Sequence, residues 1–72
     1  MRLREFDNIT NEQIALWIDS YIHSERDRLL LKRKLCDGIP FEPLSEEFDL
    51  SVRQTKYIVA REKERLLHYL KA

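Results

Sequence analysis

Directly after Ser51 stand Arg53, Gln54, Lys56 and Tyr57, four polar or amphipathic side chains within five residues. Each type has a defined chemistry toward nucleic acid. Arg and Lys donate to the guanine acceptors of a major groove, and Gln can match the edge of adenine. A tyrosine ring stacks on sugar or touches a thymine methyl group. A serine opening a helix, with the free N–H groups behind it, offers donors to a phosphate. Arg61, one helical turn beyond Tyr57, is placed for a backbone contact. Val52, Thr55 and Val59 have the spacing of an inward face, so the polar residues between them project outward. Surface helices of small domains carry such side chains for solubility alone, so the pattern needs support from its context.

Other chemistry finds little footing. His23, Cys36 and His68 are the soft or imidazole ligands of the chain, and no two share a metal-type spacing. Cys36 reads as a small hydrophobe at a helix end. Glu46 and Glu47 are adjacent on a helix and point about 100° apart, which does not suit two carboxylates sharing one substrate. The single glycine, Gly38, cannot build a phosphate-cradling loop. The expectation is a protein that is not an enzyme, with no cofactor and no metal.

The elements that must hold the residues after Ser51 can be read from caps and periodicity. At 72 residues the chain has room for one small domain, which buries only about 60% of the surface it exposes when unfolded. Gly38, Pro40 and Pro43 fall within six residues of one another, and strand-type alternation is missing, so the fold class is all-α with a central break. Thr10-Asn11-Glu12-Gln13 has capping-box form and predicts helix 1 over 11–23, with Ile14, Trp17, Ile18, Tyr21 and Ile22 on its apolar face. Ser24-Glu25-Arg26-Asp27 repeats that form and opens helix 2 over 25–36, whose Leu30, Leu31 and Leu35 point inward. Asp37-Gly38 stops it. Pro43 suits the first turn of a short helix 3 over 41–48, buried through Leu44 and Phe48. Ser51 caps helix 4 over 52–70, whose last turn is expected to fray. Residues 1–9 form an N-terminal arm. The chain is expected to be a single helix-turn-helix domain of four helices, with a long C-terminal recognition helix.

The charge total is zero, from 13 Lys and Arg against 13 Asp and Glu, but the distribution is uneven. Residues 51–72 hold six Lys and Arg against two Glu, whereas residues 38–50 hold four acids and no cation. The basic end coincides with the candidate DNA contacts. Glu42, Glu46, Glu47 and Asp49 would repel a phosphate backbone they faced. No apolar run approaches a membrane span, no signal peptide is legible, and one cysteine suits a reducing compartment; a cytoplasmic protein without a membrane partner is expected.

The stretch Glu25-Arg26-Asp27-Arg28, Asp37-Gly38-Ile39-Pro40-Phe41-Glu42, Leu44-Ser45-Glu46-Glu47-Phe48-Asp49-Leu50-Ser51-Val52-Arg53, Lys56, Val59-Ala60-Arg61 and Leu66 resembles region four of bacterial sigma factors. The resemblance runs over about residues 25–70. Related tetrahelical modules occur in response-regulator output domains and in small phage and mobile-element regulators. It implies a stand-alone transcription regulator whose helix 4 reads duplex DNA, with Val52, Arg53, Lys56 and Tyr57 at groove-facing positions and Arg61 at the basic position. Asp49 stands where the family places a turn glycine, and Asp tolerates the left-handed conformation that turn requires. Val52 is apolar and is not assigned to base readout.

Two functions follow as expectations. The leading one is a sequence-specific duplex DNA-binding transcription regulator, with recognition helix 52–61 in the major groove and Ser51, Arg53, Gln54, Lys56, Tyr57 and Arg61 as DNA contacts. Lys32 and Lys34 are secondary backbone candidates. The alternative is a protein-interaction module of the same fold that binds RNA polymerase or another regulator without reading DNA. Val52, Val59 and Leu66 recur every seven residues, but Glu62 and Lys63 interrupt the second apolar row, so at most a weak homodimer is expected.

Overall fold

The computed structural model describes residues 9–71; of the expected N-terminal arm, residues 1–8 lie outside the described residues. Four helices follow one another: α1 (Asn11–Tyr21), α2 (Glu25–Leu35), α3 (Phe41–Glu47) and α4 (Val52–Lys71). Helix 1 ends two residues before the expected boundary, and helices 2 and 3 end one residue early.

Local chemistry sets each start. Thr10 is extended, and its hydroxyl accepts the N–H of Gln13 at 3.2 Å. Ser24 does the same for Asp27 at 3.3 Å. These caps satisfy N–H groups that have no partner within the first turn of a helix. Arg28 then closes the α1–α2 corner: its Nη1 donates to the carbonyls of Ile22 at 2.9 Å and His23 at 3.0 Å. Helix α2 ends where Gly38 takes φ +69°, a left-handed conformation that costs glycine nothing sterically. Pro40 caps α3 in an extended conformation, which leaves Pro43 within the first turn, where its missing N–H breaks no bond.

Helix α4 has 20 residues, which at 1.5 Å per residue is about 30 Å, close to the 32 Å long axis of the molecule. It packs on each of the other three helices and serves as the spine of the domain. Ile14, Ile18 and Ile22 of α1 and its C-cap meet Leu30 and Leu31 of α2, Leu44 of α3, and Ile58, Val59 and Leu66 of α4 in one buried cluster. Trp17, Tyr21, Leu35, Phe48 and Leu70 pack around its edge.

The C-terminal turn is tethered, against the expectation of fraying. Tyr69 stacks on Tyr21 with ring centroids 5.1 Å apart and planes 12° from parallel, and Leu70 packs on the core. The partners are 48 positions apart in sequence, so no local pattern announces the contact. Among the described residues no helix is long and apolar enough to cross a membrane.

Candidate nucleic-acid interface

The site begins at the turn that joins α3 to α4. The N–H of Leu50 bonds the Ser45 carbonyl at 2.9 Å and that of Asp49 bonds the Glu46 carbonyl at 3.2 Å. This pair of bonds closes a Schellman motif, which needs one left-handed residue. Asp49 supplies it at φ 56°, the described non-glycine residue with positive φ. Ser45, buried beneath the turn, donates its hydroxyl to the Glu42 carbonyl at 2.7 Å and lets the α3 backbone approach its neighbours closely.

Ser51 and Gln54 then form a reciprocal capping box. Ser51 Oγ accepts the Gln54 N–H at 3.0 Å, and Gln54 Oε1 accepts the Ser51 N–H at 3.0 Å. Thr55 is fully buried and donates its hydroxyl to the Ser51 carbonyl at 2.8 Å. The box fixes where α4 starts and which face it presents. It also occupies one lone pair of the Gln54 oxygen that an adenine amino group would need, so in this arrangement Gln54 offers a ligand its amide donors and a single remaining acceptor position.

Arg53, Lys56 and Tyr57 lie on one side of the first turns of α4, all exposed, Tyr57 at 64%. Among the described residues neither Arg53 nor Lys56 has a carboxylate within 4 Å. Lys56 Nζ lies 5.7 Å from the centre of the Phe41 ring, and the Arg61 guanidinium lies 5.4 Å from that of Tyr57. Glu42 borders the same shallow depression as Val52 and Lys56, so an acid stands at the edge of this face.

Arg61 has a second role that its sequence position does not reveal. Its Nη2 donates to Oδ2 of Asp27 at 3.0 Å, across the α2–α4 interface. Asp27 is only 2% exposed and also accepts from Nε and Nη2 of Arg26 at 3.1 and 3.0 Å. Beside it sits Glu62, also 2% exposed. Arg65 Nη1 stands 3.3 Å from Glu62 Oε1, but without the alignment of a hydrogen bond, and that oxygen has no hydrogen-bond partner. Burial pushes the Glu62 carboxyl up, and a hydrogen bond to Asp27 together with its charge push it further. Burial also pushes Asp27 upward, but hydrogen bonds from Glu62, Arg26 and Arg61 outweigh it and leave Asp27 low. Of the two buried carboxyls, Glu62 is therefore the one more readily protonated and Asp27 the one more readily held as the anion that binds Arg61.

The secondary candidates are engaged within the fold. Lys32 pairs with Asp19 at 2.7 Å, and Lys34 donates to the Ile39 carbonyl at 3.0 Å. The acids of α3 are partly consumed as well: Glu47 receives Nε and Nη2 of Arg33 at 2.9 and 2.8 Å, which holds its carboxyl below the usual range. Burial, with help from Asp37, pushes the Cys36 thiol up, so little thiolate is present near neutrality. Among the described residues no three His, Cys, Asp or Glu side chains gather where they could hold a metal ion.

Sequence reasoning missed the Asp27–Glu62 pair, although a signal existed for half of it. Glu62 falls three residues after Val59 and four before Leu66, on the face that Thr55 and Val59 bury. No family model, curated protein or solved structure matches the chain.

Proposed function

We propose that the chain is a sequence-specific duplex DNA-binding transcription regulator of the sigma-region-four type, with residues 52–61 of α4 in the major groove. One observation carries the reading. Arg53 and Lys56 stand exposed beside Tyr57 at the start of a capped helix, without a carboxylate partner among the described residues. The four-residue turn before them supports it by setting the short α3 against the start of a long helix. Arg53 and Lys56 are the base-reading residues of this proposal, Tyr57 a sugar or methyl contact, and Ser51 with the α4 N-terminus a phosphate contact. Gln54 contributes through its amide donors, and Arg61 through the guanidinium donors that Asp27 leaves free.

Duplex selection from a random pool at low salt, followed by anisotropy titration of the enriched site, tests this. Affinity is expected to fall with log salt by roughly 0.9 per phosphate neutralised, and Arg53→Glu combined with Lys56→Glu is expected to abolish binding. No enriched motif at any protein concentration would sink the proposal.

The second reading, an interaction module that binds RNA polymerase or another regulator, draws support from two of the candidate contacts. Gln54 and Arg61 are both engaged by partners inside the fold.

A further inference from the structure

On the flank of α4 adjoining its exposed polar face lies a groove of about 240 Å³ where three elements converge. Leu35 at the end of α2, Phe41 at the start of α3 and Val59 in α4 line its apolar part; Lys34, Lys56 and Lys63 line the rest. Among the described residues no acid lines it. Lys34 Nζ lies 4.1 Å from the centre of the Phe41 ring and Lys56 Nζ 5.7 Å from the same centre, so two ammonium groups from different helices converge on one ring. Each cation–π contact is only modestly favourable at an exposed site, and mutual repulsion of the lysines works against it. Glu42 borders Lys56 in the neighbouring depression but makes no ion pair with it, and the bridged acids do not relieve that repulsion either. Asp37 and Glu47 are held by Arg33, Asp19 by Lys32, and Asp27 and Glu62 by Arg26, Arg61 and Arg65.

The size and lining select among occupants. Pockets for drug-sized molecules run to roughly 300–1,000 Å³, so this groove suits one or two inserted side chains better than a whole small molecule. An apolar floor offers a phosphate nothing to bond, whereas it gives a large apolar side chain an anchor. We propose that the groove docks an acidic segment of a partner protein, in which one aromatic or large aliphatic side chain sits on Leu35, Phe41 and Val59. Flanking Asp or Glu side chains meet Lys56, Lys63 and the Lys34 donors that the Ile39 carbonyl leaves free. The inference does not depend on DNA reading, and failure of either leaves the other standing.

The test uses the full chain and three labelled peptides: one with a Phe between runs of Asp and Glu, one with Ala for that Phe, and one with Lys for the acids. Anisotropy gives affinity, and NMR amide shifts give location. Saturable binding of the first peptide is expected, with shifts centred on Leu35, Phe41, Lys56 and Lys63. Affinity should fall about tenfold for the Ala peptide, and at least tenfold when Lys56→Glu and Lys63→Glu are combined. Lys63→Ala supplies a milder variant, and circular dichroism confirms that each variant folds. Equal binding of all three peptides, or shifts centred elsewhere, would overturn the proposal. So would duplex DNA moving the Lys63 and Phe41 resonances while the acidic peptide does not, which would make the groove a DNA contact. Self-association of the chain through these same residues would assign the groove to a second copy and also defeat the proposal.

Discussion

Asp27 and Glu62 show how much a single pair of side chains can bind together in a domain this small. Asp27 anchors guanidinium groups from α2 and α4, and its ionised form is stabilised by them. Removing it by Asp27→Ala is expected to cost about 1–3 kcal/mol in chemical denaturation, since Arg26 and Arg61 remain half in water and rehydrate. Arg61 would then be released, so the same variant should bind duplex DNA more tightly per folded molecule if Arg61 reaches phosphate. The two carboxyls respond to pH in opposite senses. Glu62 holds its proton more tightly folded than unfolded, so its contribution is complete below the ordinary carboxylate range and is lost as pH rises through its raised folded pKa. Asp27 contributes above the ordinary range and loses that contribution as pH falls through its lowered folded pKa. Glu62→Gln keeps a neutral donor toward Asp27 and removes the first of these losses. Stability of that variant, measured by urea unfolding across pH, should therefore decline less than wild type as pH rises above the ordinary carboxylate range. An unchanged slope would show that Glu62 is already ionised in the folded protein.

At the scale of elements, the α3–α4 corner concentrates the local determinants. Asp49 adopts a left-handed conformation that costs a non-glycine residue of order 1–2 kcal/mol, less for Asp than for most. Asp49→Gly is expected to stabilise by about 0.5–1 kcal/mol and Asp49→Val to destabilise by more, both read as shifts in denaturation midpoint. Ser51→Ala removes one half of the reciprocal cap and should cost about 1 kcal/mol. Fraying of the first turn of α4 in that variant would be visible as faster amide exchange at Gln54 and Thr55. At the far end of the same helix, Tyr69→Ala removes the stack on Tyr21. Exchange protection should then fall over the last two turns while the Leu30 and Leu66 region keeps its protection. Uniform loss along α4 would mean that the stack supports the whole core.

Across the whole molecule, cations and anions balance at 13 each, yet the structure spends them unevenly. Asp19, Asp27, Asp37, Glu47 and Glu62 are drawn into bridges on and beside α2, while Arg53, Lys56 and Lys63 on α4 find no such partner among the described residues. A neutral domain with few unpaired cations neutralises few phosphates. Non-specific duplex affinity at physiological salt is accordingly expected at the weak end of the usual range, near 10⁻⁴ M, with a shallow salt dependence. A non-specific dissociation constant near 10⁻⁶ M at that salt would show that more of the surface engages DNA than α4 offers. A single small module also buries only about 600–1,000 Å² on DNA, so tight site-specific binding would call for a second subunit or partner.

What the sequence by itself determined is local. Thr10, Ser24 and Ser51 announce three helix starts because a cap acts within three residues of itself, and the left-handed turn at Gly38 is legible for the same reason, as is the position, though not the left-handedness, of the turn at Asp49. The apolar spacing of Ile14, Ile18, Leu30, Leu31, Val59 and Leu66 fixed which helix faces meet. The tertiary structure alone decided which charges remain available. Arg61 and Gln54 looked alike as outward polar residues, but one is drawn to Asp27 on another helix and the other to its own cap. The Tyr21–Tyr69 stack and the groove of three lysines depend likewise on residues far apart in sequence. Periodicity names a face and a side-chain type, whereas an ion pair or a groove exists only once separate helices have packed.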